Sequence, residues 1–600
     1  MCHTDWQCRR SLLSRSLLSR LPPLLRVIRV ARSVTPRSNQ DSLLQRGLRW
    51  LREHPRATLV LAVLICLGPF VAKPIHLDDP VYIWVGRHIL SHPLDPYGFM
   101  IHWSRTAQPV YEAMQNPPLT CYYVALVGAV FGWSEVVLHA AFLLPAIGVV
   151  LGTYELARRL CAQPLFAALA TLLTPVALVS GTTLTCDIMM LAFWVWAVVL
   201  WDRGLERDRP WLLAGAGVLA ALAAMTKYFG VCLLPLLGLH ALLRQRRAGW
   251  WLIGLLIPVA VVLAYQLATA RLYGHGLIFA AGDYAMLRGN KSQYSLAAAL
   301  IGTLTFTGGG LAWALFATPM LWRPLLSISA AAAAALAAVL FHFEMGYDAV
   351  NSFTGSSAAW VGVQVAFWTL AGATVVGLAI SDVRRHATPA AWLLLCWVAG
   401  TMIFAGFVNW TLNGRSVLPL VPAAAILLAR RLDWLVQCQG PQMLRRTRWA
   451  LLPGALIALV VARADHQWAV ANQIAAETVH AKSVRVPGNI WFTGHWGFQY
   501  YMMKGRGQPL DILRSNPQAG DLLVMPINNA TVDVPQMAFT QPLVRLQAAG
   551  PSWVATVSQE TGAGFYSSIW GPLPYGFGRV PLEDYFVLKF VKAVPPIAPR

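Results

Sequence analysis

The sequence predicts a mainly α fold: a polytopic membrane bundle of about 13 helical spans, amphipathic helices in the first outer loop, and a small α/β domain outside. Three observations predict it. The 600 residues are 57% hydrophobic and only 12% charged, against about 25% charged for a soluble globular chain. Long apolar runs recur, and the gaps between them carry Arg and Lys in alternation, as the positive-inside rule requires. After residue 462 the pattern changes to short strand-like runs between glycine turns. A soluble globular protein is excluded.

The elements follow in chain order. Residues 1–57 hold twelve Arg, no Lys and three acids, Asp5, Asp41 and Glu53. They read as a basic cytoplasmic arm against anionic lipid, with an organellar transit peptide as the alternative. The net charge of +21 is thus assigned to membrane topology, and no nucleic-acid partner is expected. The nine cysteines end at Cys438, so the tail has no disulfide framework. The membrane domain is placed at 58–462. Its first span, 58–73, exits outward and leaves 74–134 as the first outer loop. The apolar stretch 119–133 is short of the ~20 residues needed to cross. It reads as interfacial or re-entrant, because a crossing would put "ARRL" (157–160) outside and invert every later loop.

With that choice the alternation holds. Spans at 135–157, 165–181 and 187–201 end with "WDRGLERDR" inside, and a hairpin over 211–243 turns at "TKY". The seventh span, 250–269, leads to the outer loop 270–297. The eighth ends at "WRP", the ninth emerges at "EMGYDAVNSFTGSS", the tenth ends at "DVRRH" and the eleventh at "NWTLNGR". The twelfth (416–429) returns inside and the thirteenth (449–462) leaves 463–600 outside. In that tail "PGNIWFTGHWGFQYYMMKGRG" reads as strand, glycine turn, helix and turn, and "GDLLVMPI" and "YFVLKFV" as strands. The tail is expected to be a cap, with His495 or Trp496 at a substrate entrance as the alternative.

On this topology the outward polar groups converge. Asp78 and Asp79 follow the first span. Asn116 lies in "QNPPL", Asp187 heads the fourth span and Lys227 tips the hairpin. Arg271, Arg288 and Lys291 occupy the next loop, and Arg415 heads the twelfth span. Adjacent carboxylates repel, and ionisable groups beside a membrane point to function. Acids with bases at one face suit proton removal beside anion binding, with carboxylates as general bases or hard-metal ligands and Lys or Arg as phosphate clamps. An N-cap role is the alternative for Asp187, and snorkelling for Lys227 and Arg415. Asp95 reads as a turn residue. His76, His88, His92 and His102 share the first loop without a recurrent ligand spacing.

"LDDPVYIWVGRHILSHPLDPYGF" followed by "NPPLTCYY" resembles the first outer loop of glycosyltransferases with the C-type membrane fold, family 39 and its bacterial relatives: protein O-mannosyltransferases and lipid A aminoarabinose transferases. "TCDIMMLAFWVWAVVL", "GAGVLAALAAMTKYFGVCLLPL" and "GRSVLPLVPAAAILLA" resemble the same group, in order. Here the acidic pair is Asp-Asp where relatives often have Asp-Glu, and Asn116 stands where they have Lys or His. The resemblance implies sugar transfer from a polyprenyl-phosphate donor to an acceptor protein, glycan or lipid on the outer face of a bacterial inner membrane. It implies Asp78 or Asp79 as general base and Lys227, Arg271, Arg288, Lys291 or Arg415 on the donor phosphate. Asn116, Asp187, Tyr82 and His495 become substrate-binding candidates. No cofactor is assigned; a divalent metal is optional, with no obligatory one expected and no ligand set for it. The rival classes are a secondary transporter or lipid flippase and a non-catalytic lipid-holding assembly protein.

Overall fold

The structure, a computed structural model, describes residues 43–114, 116–287, 295–344, 356–483 and 487–594. Arg288, Lys291, most of the basic arm and most of the loop after the ninth span lie outside the described residues.

Each of the thirteen expected spans has a helical counterpart. Helix α1 is Pro55–Leu67, continued by a turn over Gly68–Phe70. Between α1 and the next span lie α2, Asp79–Ser91, a hairpin of β1 (Met100–His102) and β2 (Ala107–Pro109), and α3, Leu119–Phe131. The spans resume with α4 (Glu135–Leu160), α5 (Pro164–Leu172), α6 (Pro175–Gly181) and α7 (Cys186–Arg207). The hairpin is α8 (Pro210–Thr226) and α9 (Leu233–Gln245), followed by α10, Trp251–Tyr273. Next come α11 (Leu296–Gly310), α12 (Trp313–Leu321), α13 (Pro324–Glu344) and α14 (Ser356–His386). The bundle closes with α15 (Pro389–Ile403), α16 (Val421–Gln439) and α17 (Gln442–Ser483).

Among the described residues eight helices are long and apolar enough to cross a membrane, and ten if each bent pair is one span. The difference from thirteen has physical causes. Pro55–Phe70 and Pro210–Thr226 are apolar but short, and α16 carries Arg430, Arg431 and Asp433 in its second half. The pair α5–α6 bends by 64° and α11–α12 by 95°. The first bend falls at Thr174, whose hydroxyl caps α6 at Ala177 N and whose backbone, preceding Pro175, is kept out of the helical region. Helix α3 has 13 residues, too few to span, and packs on α2 through Gly86, where a Cβ would sit 3.3 Å from the Cys121 carbonyl.

The tail contains the expected strand, turn, helix and strands. β3 (Ile490–Phe492), Gly494 at φ +81, and α18 (Trp496–Lys504) lead to β4 (Gly507–Pro509) and the fully buried β5 (Leu522–Pro526). With β6 (Thr540–Ala548) and β7 (Glu583–Phe590) they form one sheet of order β4-β3-β5-β7-β6. β3 runs parallel to β4 and β5; β7 is antiparallel to β5 and β6, with Val587 opposite Val524 and Val544. The boundary drawn at 463 falls inside α17, which continues to Ser483; "RADHQWAVANQIAAETVHAKS" contains neither Gly nor Pro to stop it.

Candidate functional site

Four of the sequence-selected side chains form one alternating chain of acids and bases, delivered by the ends of four separate elements. α1 ends at the Gly68–Phe70 turn, and the chain reverses through Leu77, whose φ of +44 is left-handed. A buried leucine there costs on the order of 1 kcal/mol. The reversal places Asp78 at the N-cap of α2 without a capping bond from its side chain. Its Oδ2 instead lies 2.9 Å from Arg415 Nη1. Arg415 is held on the short helix Gly414–Val417, and the same nitrogen is 4.0 Å from Asp187 Oδ2. Asp187 lies in the first turn of α7. Its Oδ1 accepts from Lys227 Nζ at 2.6 Å and its Oδ2 from the Thr185 hydroxyl at 2.9 Å. Thr185, not Asp187, occupies the N-cap, so the capping alternative for Asp187 is set aside. Lys227 terminates α8 in an extended conformation.

Exposure divides these groups. Asp187 is 1% exposed, whereas the Asp78 side chain keeps 35% of its surface open. Arg415 and Lys227 keep 18% and 20%. Asp79 is fully buried: Oδ1 accepts from Leu184 N–H at 2.8 Å and Oδ2 from His76 N–H at 3.1 Å. It therefore ties the start of α2 to the turn before α7. Burial pushes its carboxyl up to about 7, against the opposing pull of Lys73 and the two N–H donors. Tyr82, buried on α2, lies against Cys186 and Asp187.

The remaining candidates lie elsewhere or contribute differently. Asn116 accepts a hydrogen bond from the Tyr97 hydroxyl at 2.7 Å, but through its backbone carbonyl. Arg271 is exposed in the last turn of α10, outside the acid–base chain. His495 caps the position before α18, stacks on Trp103 at 5.4 Å and bonds Gln499 through Nδ1 at 3.0 Å. None of those partners belongs to the acid–base chain, and burial pushes the His495 imidazolium down to about 4. Gln499 does line a cavity of about 690 Å³ between the segment that follows α1 and the tail, with Trp84, Arg87, His102, Asp511 and Arg514. Asp95 is a turn residue as expected and also accepts from the Tyr273 hydroxyl at 2.8 Å. Among the described residues no group of three or more His, Cys, Asp or Glu is placed to hold a metal ion.

Behind Arg415 sits a second cluster that local sequence reading missed. Lys73 Nζ meets Asp465 Oδ2 at 2.5 Å with both side chains fully buried. Asp465 also accepts from Thr556 at 2.7 Å and from the Tyr566 hydroxyl at 2.9 Å, and His76 Nε2 lies 3.6 Å away. The Tyr566 ring carries the Arg415 guanidinium 5.4 Å from its centroid, so one tyrosine joins the two clusters. Lys73 interrupts apolar sequence, which is the signal that marks such residues; Asp465 lies in the polar run after 462, and their pairing, which spans 392 positions, has no local signature.

Residues 115–273 match the family described as dolichyl-phosphate-mannose-protein mannosyltransferase. The resemblance read from the motifs is thereby met over a stretch that includes Asp187 and Lys227. No curated protein matches the chain. Among solved structures the chain is similar to the oligosaccharyltransferase of Archaeoglobus fulgidus tethered to an acceptor peptide, at 13% identity and TM-score 0.44, over 77% of this chain and 64% of that one. It is similar to ArnT from Cupriavidus metallidurans bound to undecaprenyl phosphate, at 15% identity and TM-score 0.43, over 84% and 96% of the two chains. It is also similar to arabinofuranosyltransferase AftD from mycobacteria, at 14% identity and TM-score 0.41, over 91% of this chain and 40% of that one. The chain thus spans less than two thirds of the length of the archaeal protein.

Proposed function

We propose that the protein is a membrane glycosyltransferase that moves a sugar from a polyprenyl-phosphate donor to an acceptor on the non-cytoplasmic face, with 1–57 as a cytoplasmic arm and the tail outside. The observation that carries this reading is the alternating chain Asp78–Arg415–Asp187–Lys227. Two of its members fall in the matched stretch 115–273.

In this reading Arg415 and Lys227 take the donor phosphate. Asp187 holds the two cations at one place, and Tyr566 steadies Arg415 from behind. The singly charged phosphodiester of the donor competes with Asp78 for Arg415, which frees the partly open carboxylate of the acid–base chain. Asp78 then accepts the proton of the acceptor hydroxyl. The acceptor oxygen bonds to the anomeric carbon, and the bond from that carbon to the phosphate oxygen breaks. Polyprenyl phosphate leaves with the added charge on its oxygens, where Arg415 and Lys227 stabilise it. Asp79 is a positioning residue, since both its oxygens are used by backbone N–H groups. The cavity lined by Trp84 and Arg87 shares α2 with Asp79 and is the acceptor's approach in this reading. Arg271, Arg288 and Lys291 are second cations for the donor phosphate, and Asn116, Tyr82 and His495 remain substrate contacts in this reading.

The test is purification with native lipid, followed by mass spectrometry of what co-purifies. The reading expects a polyprenyl-phosphate sugar that is depleted in an Arg415→Gln, Lys227→Gln double variant. Equal retention of such a lipid by that variant would remove the site from donor binding.

A further inference from the structure

The opposite end of the bundle carries a second constellation that the sugar-transfer reading does not use. A cavity of about 530 Å³ is lined by Arg56, Glu155, Arg158, Arg159, Arg203 and Arg207, with Trp196 at its wall. These residues come from the start of α1 and the ends of α4 and α7. Asp187 opens α7 and Arg207 closes it, so at 1.5 Å per residue the two sites are separated by ~30 Å, the thickness of a hydrocarbon core. The cavity therefore sits at the headgroup level of the other membrane face.

Its charge is unbalanced by construction. Glu155, with 8% of its side chain exposed, gathers Arg56 at 2.7 Å, Arg203 at 2.8 Å and Arg158 at 3.4 Å. Arg159 is satisfied separately by Asp202 and Glu206. Arg207 has no ion pair among the described residues and is exposed. Three guanidiniums thus share the Glu155 carboxylate and Arg207 adds a fourth positive charge, so three charges are left unmatched. One carboxylate cannot use all the N–H donors of three guanidiniums, so Glu155 fixes their positions and leaves donors facing the cavity. The Trp196 indole N–H is tied to the Gly148 carbonyl at 2.9 Å, which leaves its ring for apolar chain, as in interfacial aromatic belts.

We propose that this cavity binds the phosphate of an anionic lipid headgroup on the membrane face opposite the transfer site. Phosphate is the anion whose oxygens match several guanidinium forks at once, and only a lipid brings it to this depth with acyl chain beside Trp196.

The experiment uses the full chain in neutral detergent. It measures the melting temperature and, by native mass spectrometry, the number of bound lipids, on adding phosphatidylglycerol, phosphatidylcholine or inorganic phosphate. Phosphatidylglycerol is expected to raise Tm and bind at one site, while phosphatidylcholine and millimolar inorganic phosphate do neither. Arg56→Gln with Arg203→Gln should weaken phosphatidylglycerol binding by about tenfold and remove the Tm shift. Arg207→Gln, which breaks no ion pair among the described residues, should weaken it in the same direction and decides the matter if the double variant does not fold. Unchanged lipid affinity in Arg207→Gln and the double variant would overturn the proposal. So would an equal Tm shift from phosphatidylcholine, or an equal shift from inorganic phosphate, which would assign the cavity to a soluble anion.

Discussion

Burial separates two carboxylates that are neighbours in the chain. Asp79 has no exposed surface and two backbone partners; Asp78 is partly open and faces a guanidinium. The Asp79 value of about 7, against about 4 in an unfolded chain, has a definite sign. The folded state binds this proton more tightly, so the stability it contributes is complete below pH ~4 and is lost as pH rises through about 7. Thermal unfolding between pH 5 and 8 should show wild type losing stability relative to Asp79→Asn across that window. Parallel curves would contradict the burial argument. The acidic pair itself was legible in sequence as an unusual expense beside an apolar span; which member is open was not, because Leu77 in a left-handed conformation decides where each side chain points.

At the scale of elements, the tail holds the site from behind. Gly497, in the first turn of α18, packs its backbone onto the 75–76 strap, and a Cβ there would run into the Ile75 carbonyl. The Tyr501 hydroxyl accepts from Ile75 N–H and donates to Glu135, each near 2.8 Å. Gly414 N–H donates to the Phe565 carbonyl at 2.7 Å, beside Arg415. Gly497→Leu should therefore lower transfer by at least tenfold while leaving the bundle's helical circular dichroism unchanged, because it shifts the strap that carries Asp78. Full activity in that variant would disconnect the tail from the site. The strands and helix of the tail were legible from glycine punctuation and apolar runs. The length of α17 was not: the sequence beyond 462 becomes polar, which ends a span but does not end a helix.

For the whole molecule, the buried Lys73–Asp465 pair joins the end of the first span to the helix that leads into the tail. Removing one partner leaves the other charged and dry, a cost of about 3–5 kcal/mol. Asp465→Asn should lower Tm markedly, and Lys73→Met added to Asp465→Leu should recover much of the loss. A single variant as stable as wild type would show that the pair does not join the two parts. The spans themselves were readable because hydropathy and the distribution of Arg are local properties of the chain. Contacts between residues hundreds of positions apart are not local, so Arg415 meeting Asp78 could be expected only from a shared membrane face, and Asp465 not at all.

The transfer mechanism depends on one geometric claim: the half-open carboxylate at position 78 shares a pocket with the cations that receive the donor's phosphate. The most direct measurement is single-turnover transfer from a labelled polyprenyl-phosphate sugar by Asp78→Asn, with donor binding followed in parallel. The account predicts a rate lower by ~10²–10⁴ with donor still bound. Transfer at the wild-type rate would contradict it.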